Sequence, residues 1–292
     1  MGCLVSRTTQ LERLSGESLT VKPHLSNRTT TILVSRNTKD RHLWKVCKDR
    51  APVLRQMFIN NYRVKRLGGY PHILSPETLI KLNETKVAVC MKYMDMDLFQ
   101  YVRTRFDFNR VWEGLREVVK GIRWMHSKGL AHRDIKPENI VMDAQHFYLI
   151  DFDFTSPLDE YVRCGTPTYI VPAASSQAWT CTNRERSLRH DVYAFGKTVL
   201  FVFCAAASLK MISPYAVLFE FYNGDHTHFD IANPFETDLA AWFDLAVRCC
   251  QTKTPDAIPL AMPDSAADTT AAKDVSTRIA PAQVVDADET VA

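Results

Sequence analysis

The sequence predicts an α+β protein with a β-rich amino-terminal lobe and a mainly helical carboxy-terminal lobe. Short runs rich in β-branched and apolar side chains concentrate between residues 29 and 104. In the second half, apolar side chains recur at helical spacing and are interrupted by a polar segment at residues 130–172. The 292 residues are enough for one large domain with a substantial core.

The first half is predicted to contain three strands and one helix. Thr29–Ser35 and Leu43–Cys47 are short apolar runs separated by a polar stretch, as in a hairpin, and Val87–Met91 is typical of a buried strand. A basic helix is predicted over residues 53–67, because Gly68-Gly69 follows it and breaks the pattern.

The second half is predicted to contain two long helices. Their apolar side chains recur at steps of three and four residues, which is typical of a helix face turned toward a core. The two stripes are Val111, Leu115, Val118, Val119, Ile122 and Met125, then Val192, Phe195, Val199, Val202 and Phe203. A polar loop held between such helices is a common location for catalytic residues.

Composition and charge exclude several classes of protein. Hydrophobic residues make up 46% and charged residues 24%, as in globular chains. The net charge of +3 is too small to indicate a nucleic-acid partner. The longest apolar run, Val199–Ala207, is too short to span a bilayer. The eight cysteines include no CxxC pair, which favours reduced thiols in a cytosolic compartment.

One polar run carries residues suited to phosphoryl transfer. It reads His132-Arg133-Asp134-Ile135-Lys136-Pro137-Glu138-Asn139-Ile140 and is followed by Asp151-Phe152-Asp153. Asp134 can accept a hydroxyl proton, and Lys136 can neutralise a transferring phosphoryl group. Asn139 and Asp151 offer the hard oxygen ligands that Mg²⁺ prefers. Positioning and charge neutralisation, which this set supplies, dominate the catalysis of phosphoryl transfer.

This run resembles the catalytic loop of eukaryotic-type serine/threonine protein kinases, and the resemblance extends over about residues 21–260. Lys136-Pro137-Glu138 is similar to the serine/threonine form rather than the tyrosine form. The resemblance implies a two-lobed protein-kinase-like fold, ATP and Mg²⁺ as cofactors, and a protein substrate. It also implies that Asp134 and Lys136 are catalytic and that Asn139 and Asp151 hold the metal.

Further positions match the family in order. Thr166 lies in a segment, 165–172, that resembles the substrate-positioning loop, and Asp191 resembles the buried aspartate that braces the catalytic loop. The family pattern implies that Lys45, chosen over Lys48, contacts the α- and β-phosphates of ATP. It also implies that Met94 binds adenine through its backbone, next to Met91 as the gatekeeper.

The resemblance is weaker before residue 130. No glycine occurs between Gly16 and Gly68, so residues 23–28 replace the family's glycine-rich loop with side chains. Arg28 is either a substitute phosphate ligand or a solvated charge. The helical glutamate that pairs with the strand lysine is also absent, and Asn60 or Asn61 stands in its place.

Two later positions also depart from the family. Asp153 replaces a glycine, and it either strains the backbone locally or adds a carboxylate facing the metal. Ala173 and Ile258 replace the two members of a buried ion pair, which indicates repacking because a paired loss can be neutral. These departures leave an alternative function open: a pseudokinase scaffold or nucleotide-binding module with weak or no catalysis.

Arg133 resembles the arginine that docks a phosphate on the activation segment in many kinases. The usual phosphosite position is Val162 in this chain, which cannot be phosphorylated. The neighbouring acids Asp159 and Glu160 either pair with Arg133 permanently or are solvated charges. The pairing alternative predicts that activity survives phosphatase treatment and falls when both acids are neutralised.

The two ends of the chain are predicted to lie outside the kinase-like domain. Residues 1–20 form a lipidated segment, residues 21–92 and 93–260 the two lobes, and residues 261–292 a disordered acidic tail. The tail contains no aromatic residue from Met262 onward and is rich in Ala, Asp and Thr, so it buries too little apolar surface to fold.

The amino terminus predicts the site of action. Met1–Ser6 fits the pattern for myristoylation of Gly2, and the adjacent Cys3 is suited to palmitoylation as the second signal that stable anchoring requires. The expected location is the cytoplasmic face of a membrane, bound through these acyl chains. The economy and divergence of the chain would suit a virus-encoded kinase. The sequence leaves the substrate, the upstream regulator and the oligomeric state open.

Overall fold

The structure is a computed structural model that describes residues 10–37, 41–105, 107–172, 182–208, 245–250 and 285–286. The chain forms two compact units, each described here by itself. The first unit includes the residues up to Gly69, the segment Leu74–Met94 and the residues from Val275 onward, and the second includes Tyr70–Ile73 and Asp95–Asp274. The division after Met94 lies two residues beyond the predicted boundary at 92.

Eleven short strands are found in the described residues. They are β1 Leu19–Val21, β2 Thr30–Ser35, β3 His42–Lys48, β4 Thr78–Asn83, β5 Lys86–Lys92, β6 Met96–Asp97, β7 Leu130–Ala131, β8 Ile140–Met142, β9 Phe147–Leu149, β10 Ser156–Pro157 and β11 Val285–Asp286. The three predicted strands correspond to β2, β3 and β5 and are confirmed. β1 and β4 were missed, because β1 is only three residues long and β4 mixes apolar side chains with Lys81 and Asn83.

Within the described ranges, six helices accompany the strands. They are α1 at residues 10–15, α2 Ala51–Arg66, α3 Leu98–Thr104, α4 Phe108–Ser127, α5 Asn183–Ser208 and α6 at residues 245–250. Single 3₁₀ turns occupy Pro23–Leu25, Pro137–Asn139 and Pro167–Tyr169. The predicted basic helix is α2, which has proline in its first turn and three basic side chains in its last turn, the arrangement that the helix dipole favours.

One sheet forms the frame of the first unit. Its strand order is β1-β2-β3-β5-β4-β11, antiparallel throughout except that β11 runs parallel to β4. Lys45 lies at the centre of this sheet, opposite Ile32 on β2 and Val89 on β5. Full pairing on both sides fixes the position of the Lys45 backbone.

The first unit begins earlier than the predicted boundary at residue 21. Leu11 on α1 is fully buried and packs in a cluster that includes Leu19, Leu33 and Trp44. The carboxylate of Glu12 accepts a hydrogen bond from the backbone N–H of Leu19 at 2.8 Å, which ties α1 to β1. Residues 10–20 are therefore part of the folded unit, because the sheet needs this helix to cover apolar surface.

Two long helices, two short ones and two small sheets lie in the described part of the second unit. Both predicted apolar stripes are buried, on α4 and on α5, which confirms these helices. The small sheets have the strand orders β6-β8-β9 and β10-β7. α4 approaches β9 closely at Gly114, where a Cβ atom would lie 2.2 Å from the ring of Phe147. The polar run 132–139 connects β7 to β8, and Asp151 follows β9.

Several predicted features lie outside the described residues. Gly2 and Cys3 are among them, as are Ala173 and Ile258 and nearly all of the predicted tail except β11. Lipidation, disorder in the rest of the tail and the repacked ion pair therefore stay predictions, whereas disorder at Val285–Asp286 is wrong because this strand pairs with β4. Within the described ranges, no helix has both the length and the apolar character needed to cross a bilayer.

Candidate active site

Asp134 is the centre of a hydrogen-bonded cluster in the second unit. Its Oδ1 accepts two bonds from Thr166, one from the backbone N–H and one from Oγ1, each at 2.8 Å. Its Oδ2 accepts from Nζ of Lys136 at 2.8 Å and from Nδ2 of Asn139 at 3.0 Å. Four donors from three residues thus hold the carboxylate in one orientation. The structure brings together Asp134, Lys136, Asn139 and Thr166, as the sequence predicted.

These contacts keep Asp134 ionised. Burial disfavours the charged carboxylate, but hydrogen bonds and the positive charge of Lys136, with a further bond from Thr166, outweigh it and lower the pKa of Asp134. A carboxylate with a lowered pKa is a weak base that orients a hydroxyl group strongly and accepts its proton late in the reaction.

Lys136 and Thr166 also bind one another. Nζ of Lys136 donates to Oγ1 of Thr166 at 2.7 Å, so the ammonium group bridges Asp134 and the loop that carries Thr166. That loop approaches closely because residue 165 is glycine. At Gly165, φ is +107°, and a Cβ atom would lie 2.4 Å from the carbonyl oxygen of Arg133. Glycine alone allows this contact.

Asp191 on α5 binds the backbone at the start of the run 132–139. Its two carboxylate oxygens accept the backbone N–H groups of His132 at 2.8 Å and Arg133 at 2.7 Å, and Nε2 of His126 lies 2.8 Å from Oδ2. Arg133 has φ of +69°, an unfavourable conformation for a residue with a side chain, so it needs such support. The brace predicted for Asp191 is therefore present.

Asp191 is completely buried and yet charged. Burial raises its pKa, but the hydrogen bond and positive charge of His126, with His132 and His190 nearby, outweigh burial and lower the pKa to about 2. The carboxylate is therefore ionised at every pH at which the protein would function.

His132 links the catalytic run to the segment that carries Asp151. Its Nδ1 accepts the backbone N–H of Asp134 at 3.2 Å, and its Nε2 lies 2.9 Å from the carbonyl oxygen of Ile150. Since Nδ1 is the acceptor, Nε2 carries the proton that bonds Ile150. The buried ring of Phe152 packs edge-on against the same imidazole, with centroids 5.4 Å apart.

Asn139 and Asp151 offer oxygen atoms that fit a divalent cation. Nδ2 of Asn139 donates to both the carbonyl and the carboxylate of Asp134, which leaves Oδ1 as the atom suited to a metal. The backbone N–H of Ile150 donates to the carbonyl oxygen of Asn139 at 3.0 Å, so Asp151 follows directly beside it. Of the two alternatives for Asp153, backbone strain is wrong, because the positive φ angle, +67°, occurs at Asp151 and not at Asp153.

Of the residues predicted to contact the nucleotide in the first unit, Lys45 and Met91 lie on strands of the sheet, and Met94 follows strand β5 in the chain. Lys45 is half-buried on β3, Met91 is buried on β5, and Met94 is the last residue of the segment Leu74–Met94. Both candidate partners of Lys45, Asn60 and Asn61, are buried on α2. An amide accepts only through Oδ1. Oδ1 of Asn60 already accepts Nε2 of Gln56 at 2.8 Å, and Nδ2 of Asn61 donates to the carbonyl oxygen of Met57 at 2.9 Å.

The loop between β1 and β2 occupies the place expected for the glycine-rich loop, and it binds its own backbone. Oδ1 of Asn27 accepts the backbone N–H groups of Thr29 at 2.9 Å and Thr30 at 2.8 Å. Oγ of Ser26 accepts the N–H of Ile32 at 2.9 Å. Side chains therefore engage the backbone donors that a phosphate would need.

Arg133 pairs with neither the Asp159 nor the Glu160 side chain, so the pairing alternative is wrong and the solvated one agrees with the structure. Its buried guanidinium group donates to the carbonyl oxygen of Val162 at 2.7 Å, to the carbonyl oxygen of Glu160, and to Oγ of Ser187 at 3.0 Å. The carboxylates of Asp159 and Glu160 belong to exposed residues. Backbone carbonyl groups supply the acceptors here because the segment folds over the buried arginine.

Two residues of this site were missed from the sequence. Ser187 lies within hydrogen-bond distance of Arg133 and of the carbonyl oxygen of Leu158, and His126 bonds Asp191. Ser187 is 54 residues from Arg133 in the chain, and His126 is 65 residues from Asp191. No local pattern signals such a pairing, since only the packing of α4 and α5 creates it.

The comparisons with known proteins agree with this geometry. The family model described as protein kinase domain matches residues 32–251. A serine/threonine-protein kinase of Drosophila melanogaster is 29% identical over 152 residues, which are 49% of this chain and 20% of that protein. The cAMP-dependent protein kinase catalytic subunit PRKX of Mus musculus is 41% identical over 81 residues, 26% of this chain and 23% of that protein.

A third relative comes from a virus. A protein of Acanthamoeba polyphaga mimivirus named as a serine/threonine-protein kinase is 27% identical over 164 residues, 51% of this chain and 57% of that protein. The chain spans about a fifth of the length of the first two relatives.

Proposed function

The chain belongs to the protein kinase domain family, and from that premise we propose that it transfers the γ-phosphate of ATP to a serine or threonine hydroxyl group of a protein. One observation carries the proposal. The four donors on Asp134 leave an ionised carboxylate, an ammonium group and an amide oxygen together in one cluster. A scaffold has no need to keep these groups hydrogen-bonded in register.

Asp134 would orient the attacking hydroxyl group and accept its proton as the oxygen–phosphorus bond forms. Its contacts with Thr166 fix Oδ1, so the substrate hydroxyl would bind near Oδ2, beside Lys136. A serine or threonine acceptor is supported because Lys136 and Thr166 resemble residues of the serine/threonine form of the family, and these two side chains are hydrogen-bonded to each other at the site. The kinase relatives carry the same named specificity.

Lys136 would place its positive charge on the transferring phosphoryl group, since its ammonium group lies 2.8 Å from Asp134. Asn139 and Asp151 would hold Mg²⁺, and Lys45 with the backbone of Met94 would bind ATP. Bound Mg²⁺ supplies neutralisation of negative charge on the phosphate oxygens.

Transfer of labelled γ-phosphate from ATP tests this function. The full chain is incubated with Mg²⁺ and with matched peptide pools that contain serine and threonine or only tyrosine. The expected result is labelling of the serine and threonine pool that EDTA abolishes. Labelling of the tyrosine pool alone would contradict the assigned acceptor, and labelling of neither pool by the wild type would favour the pseudokinase alternative.

One structural observation favours that alternative, namely the self-bonded loop between β1 and β2. Because Asn27 occupies the N–H groups of Thr29 and Thr30, we expect weak nucleotide binding in the wild type. Asn27→Gly frees both donors and removes a Cβ atom, so it should tighten binding of Mg-ATP by about 2–10-fold, the value of one net hydrogen bond. Nucleotide titration followed by thermal shift measures the change.

A matched control exists in the same unit. Asn83 makes the equivalent turn before β5, where Oδ1 accepts the N–H and Oγ1 of Thr85 at 2.9 and 3.1 Å. Asn83→Gly should therefore leave nucleotide affinity unchanged. Equal effects of both substitutions would assign the change to general loosening of the sheet and contradict the role given to the loop.

The activation segment should need no phosphate. Because Arg133 is held by backbone carbonyl groups, the double variant Asp159→Asn, Glu160→Gln should keep phosphate transfer within about twofold of wild type, as expected for exposed charges without a buried partner. Labelled-phosphate incorporation before and after phosphatase treatment measures this. A large loss of phosphate transfer in the double variant would show that the two acids do pair with Arg133, contrary to the geometry.

We also propose that acyl chains on Gly2 and Cys3 anchor the protein to the cytoplasmic face of a membrane. A single myristoyl chain binds membranes only marginally, so a palmitoyl chain on the neighbouring cysteine would be needed. Fractionation of cells that express wild type, Gly2→Ala and Cys3→Ser tests the two chains separately. Membrane recovery of wild type with release of both variants is expected, and equal solubility of all three would contradict the anchor.

A further inference from the structure

Two histidines and a glutamate of the second unit lie close to one another. His72 lies in the short segment Tyr70–Ile73, Glu117 on α4, and His146 in the turn between β8 and β9. One ring nitrogen of His72, one of His146 and a carboxylate oxygen of Glu117 all lie within 4.8 Å of one another. Three segments that are distant in sequence thus present three potential metal ligands to one point.

The distances between these atoms suit a small cation. Nδ1 of His146 lies 2.7 Å from one carboxylate oxygen of Glu117, and Nδ1 of His72 lies 4.0 Å from the other. A tetrahedral zinc ion with bonds of about 2.0–2.1 Å sets its ligand atoms about 3.3 Å apart. The two observed separations lie on either side of that value, so small side-chain rotations would satisfy it.

His72 points to a missing ligand. Its Nδ1 is buried and has no hydrogen-bond partner, and the residue as a whole is only 9% exposed. A buried imidazole nitrogen without a partner carries a cost that a bound cation would remove.

The three side chains stand on rigid backbone. The carbonyl oxygen of His72 accepts the N–H of Leu149 at 3.0 Å and lies against Gly121 of α4, where a Cβ atom would be 3.0 Å away. Oδ1 of Asp143 accepts the backbone N–H of His146 at 2.8 Å. Such supports hold ligands near one geometry before a metal arrives.

Glu117 has the contact expected of a metal ligand that is oriented by its surroundings. Its Oε2 accepts the backbone N–H of Phe147 at 2.8 Å, which fixes the carboxylate between the two rings. His146 is about half-exposed, so the site opens to solvent on one side. An entry path for the cation and room for a water ligand therefore exist.

We propose that His72, Glu117 and His146 form a zinc-binding site, with water as the fourth ligand. Two imidazole groups and one carboxylate are a donor set that zinc accepts, and three protein ligands with one open position are typical of accessible zinc sites. Binding would cross-link α4, the β8–β9 turn and the segment 70–73. The zinc ion therefore stabilises the second unit and takes no part in phosphate transfer.

Zinc titration of the full chain, freed of metal by chelation, tests the site. We expect one equivalent of Zn²⁺ to bind and to raise the thermal midpoint, because the ligand binds only the folded state. His146→Ala removes an exposed ligand without disturbing the core, and Glu117→Gln removes the charged one. Each substitution should lower the affinity for Zn²⁺ by about 100-fold or more and abolish the rise in the thermal midpoint. Visible absorption of bound Co²⁺ reports whether the site is tetrahedral.

A second cluster provides the matched control. Glu17, His42 and Cys90 in the first unit also bring three potential ligands together. His42→Ala should leave the zinc affinity and the Co²⁺ spectrum unchanged. Equal affinities in wild type and His146→Ala would overturn the proposal, and so would a loss of binding in His42→Ala alone, which would move the metal to the other cluster.

Discussion

Asn in place of Asp134 is expected to lower the rate of phosphate transfer by about 10²–10⁴-fold, the usual contribution of a positioned general base. The substitution keeps the size of the side chain and an acceptor at Oδ1 for Thr166. At the other position, however, an NH₂ group would face two donors, Nζ of Lys136 and Nδ2 of Asn139, which lie 2.8 and 3.0 Å from Oδ2 in the wild type. The charge that holds Lys136 is lost as well.

The measurement is kcat for labelled-phosphate transfer with nucleotide affinity measured in parallel. Nucleotide affinity should change little, because Asp134 is assigned to the hydroxyl acceptor and not to ATP. Asp143→Asn is the matched control: it makes the same chemical change in the same unit, at a partly exposed turn. Equal incorporation by wild type and Asp134→Asn would refute the enzymatic function.

Asp191→Asn is expected to destabilise the second unit by about 3–5 kcal/mol, as when one partner of a buried ionic contact is removed. The wild-type carboxylate accepts the N–H groups of His132 and Arg133 and a bond from His126 without exposure to water. An amide can accept with only one of its two polar atoms, so at least one buried donor would face an NH₂ group. Release of the strained Arg133 backbone would displace Asp134, and phosphate transfer should fall with stability.

Urea unfolding of wild type, Asp191→Asn and the control Asp143→Asn measures the difference. The control should lose about 1 kcal/mol or less, because its turn is partly exposed and water can replace the lost acceptor. A free energy of unfolding for Asp191→Asn within 1 kcal/mol of the wild type would contradict the bracing role.

The pH dependence of stability gives an independent test of the same residue. The pKa of Asp191 is about 2 in the folded protein against an ordinary 3.8, so its ionised form favours folding. That contribution, about 2 kcal/mol, is present above pH 3.8 and is lost as the pH falls toward 2. The wild type should therefore lose this stability in acid, whereas Asp191→Asn should show a flatter profile between pH 4 and pH 2.

Much of the candidate site could be predicted from the sequence because its members are close along the chain. Asp134, Lys136 and Asn139 lie within six residues, and a short loop can present them together in only a few ways. Helices α4 and α5 were predictable for a similar reason, since each buries a stripe that repeats at helical spacing. β1 and β4 lacked such a signal and were missed.

The sequence by itself therefore determined the family, the catalytic run and the main helices, because local spacing and residue chemistry encode them. Only the tertiary structure decided which groups Arg133 binds and which residues have a left-handed backbone conformation. It also decided that the side chains of Ser26 and Asn27 accept hydrogen bonds from the backbone N–H groups of their own loop. It also brought His72, Glu117 and His146 together across 74 residues of chain. Hydrogen bonds between distant segments depend on how helices and strands pack. That packing produces no repeating pattern of residue types in the sequence from which it could be predicted.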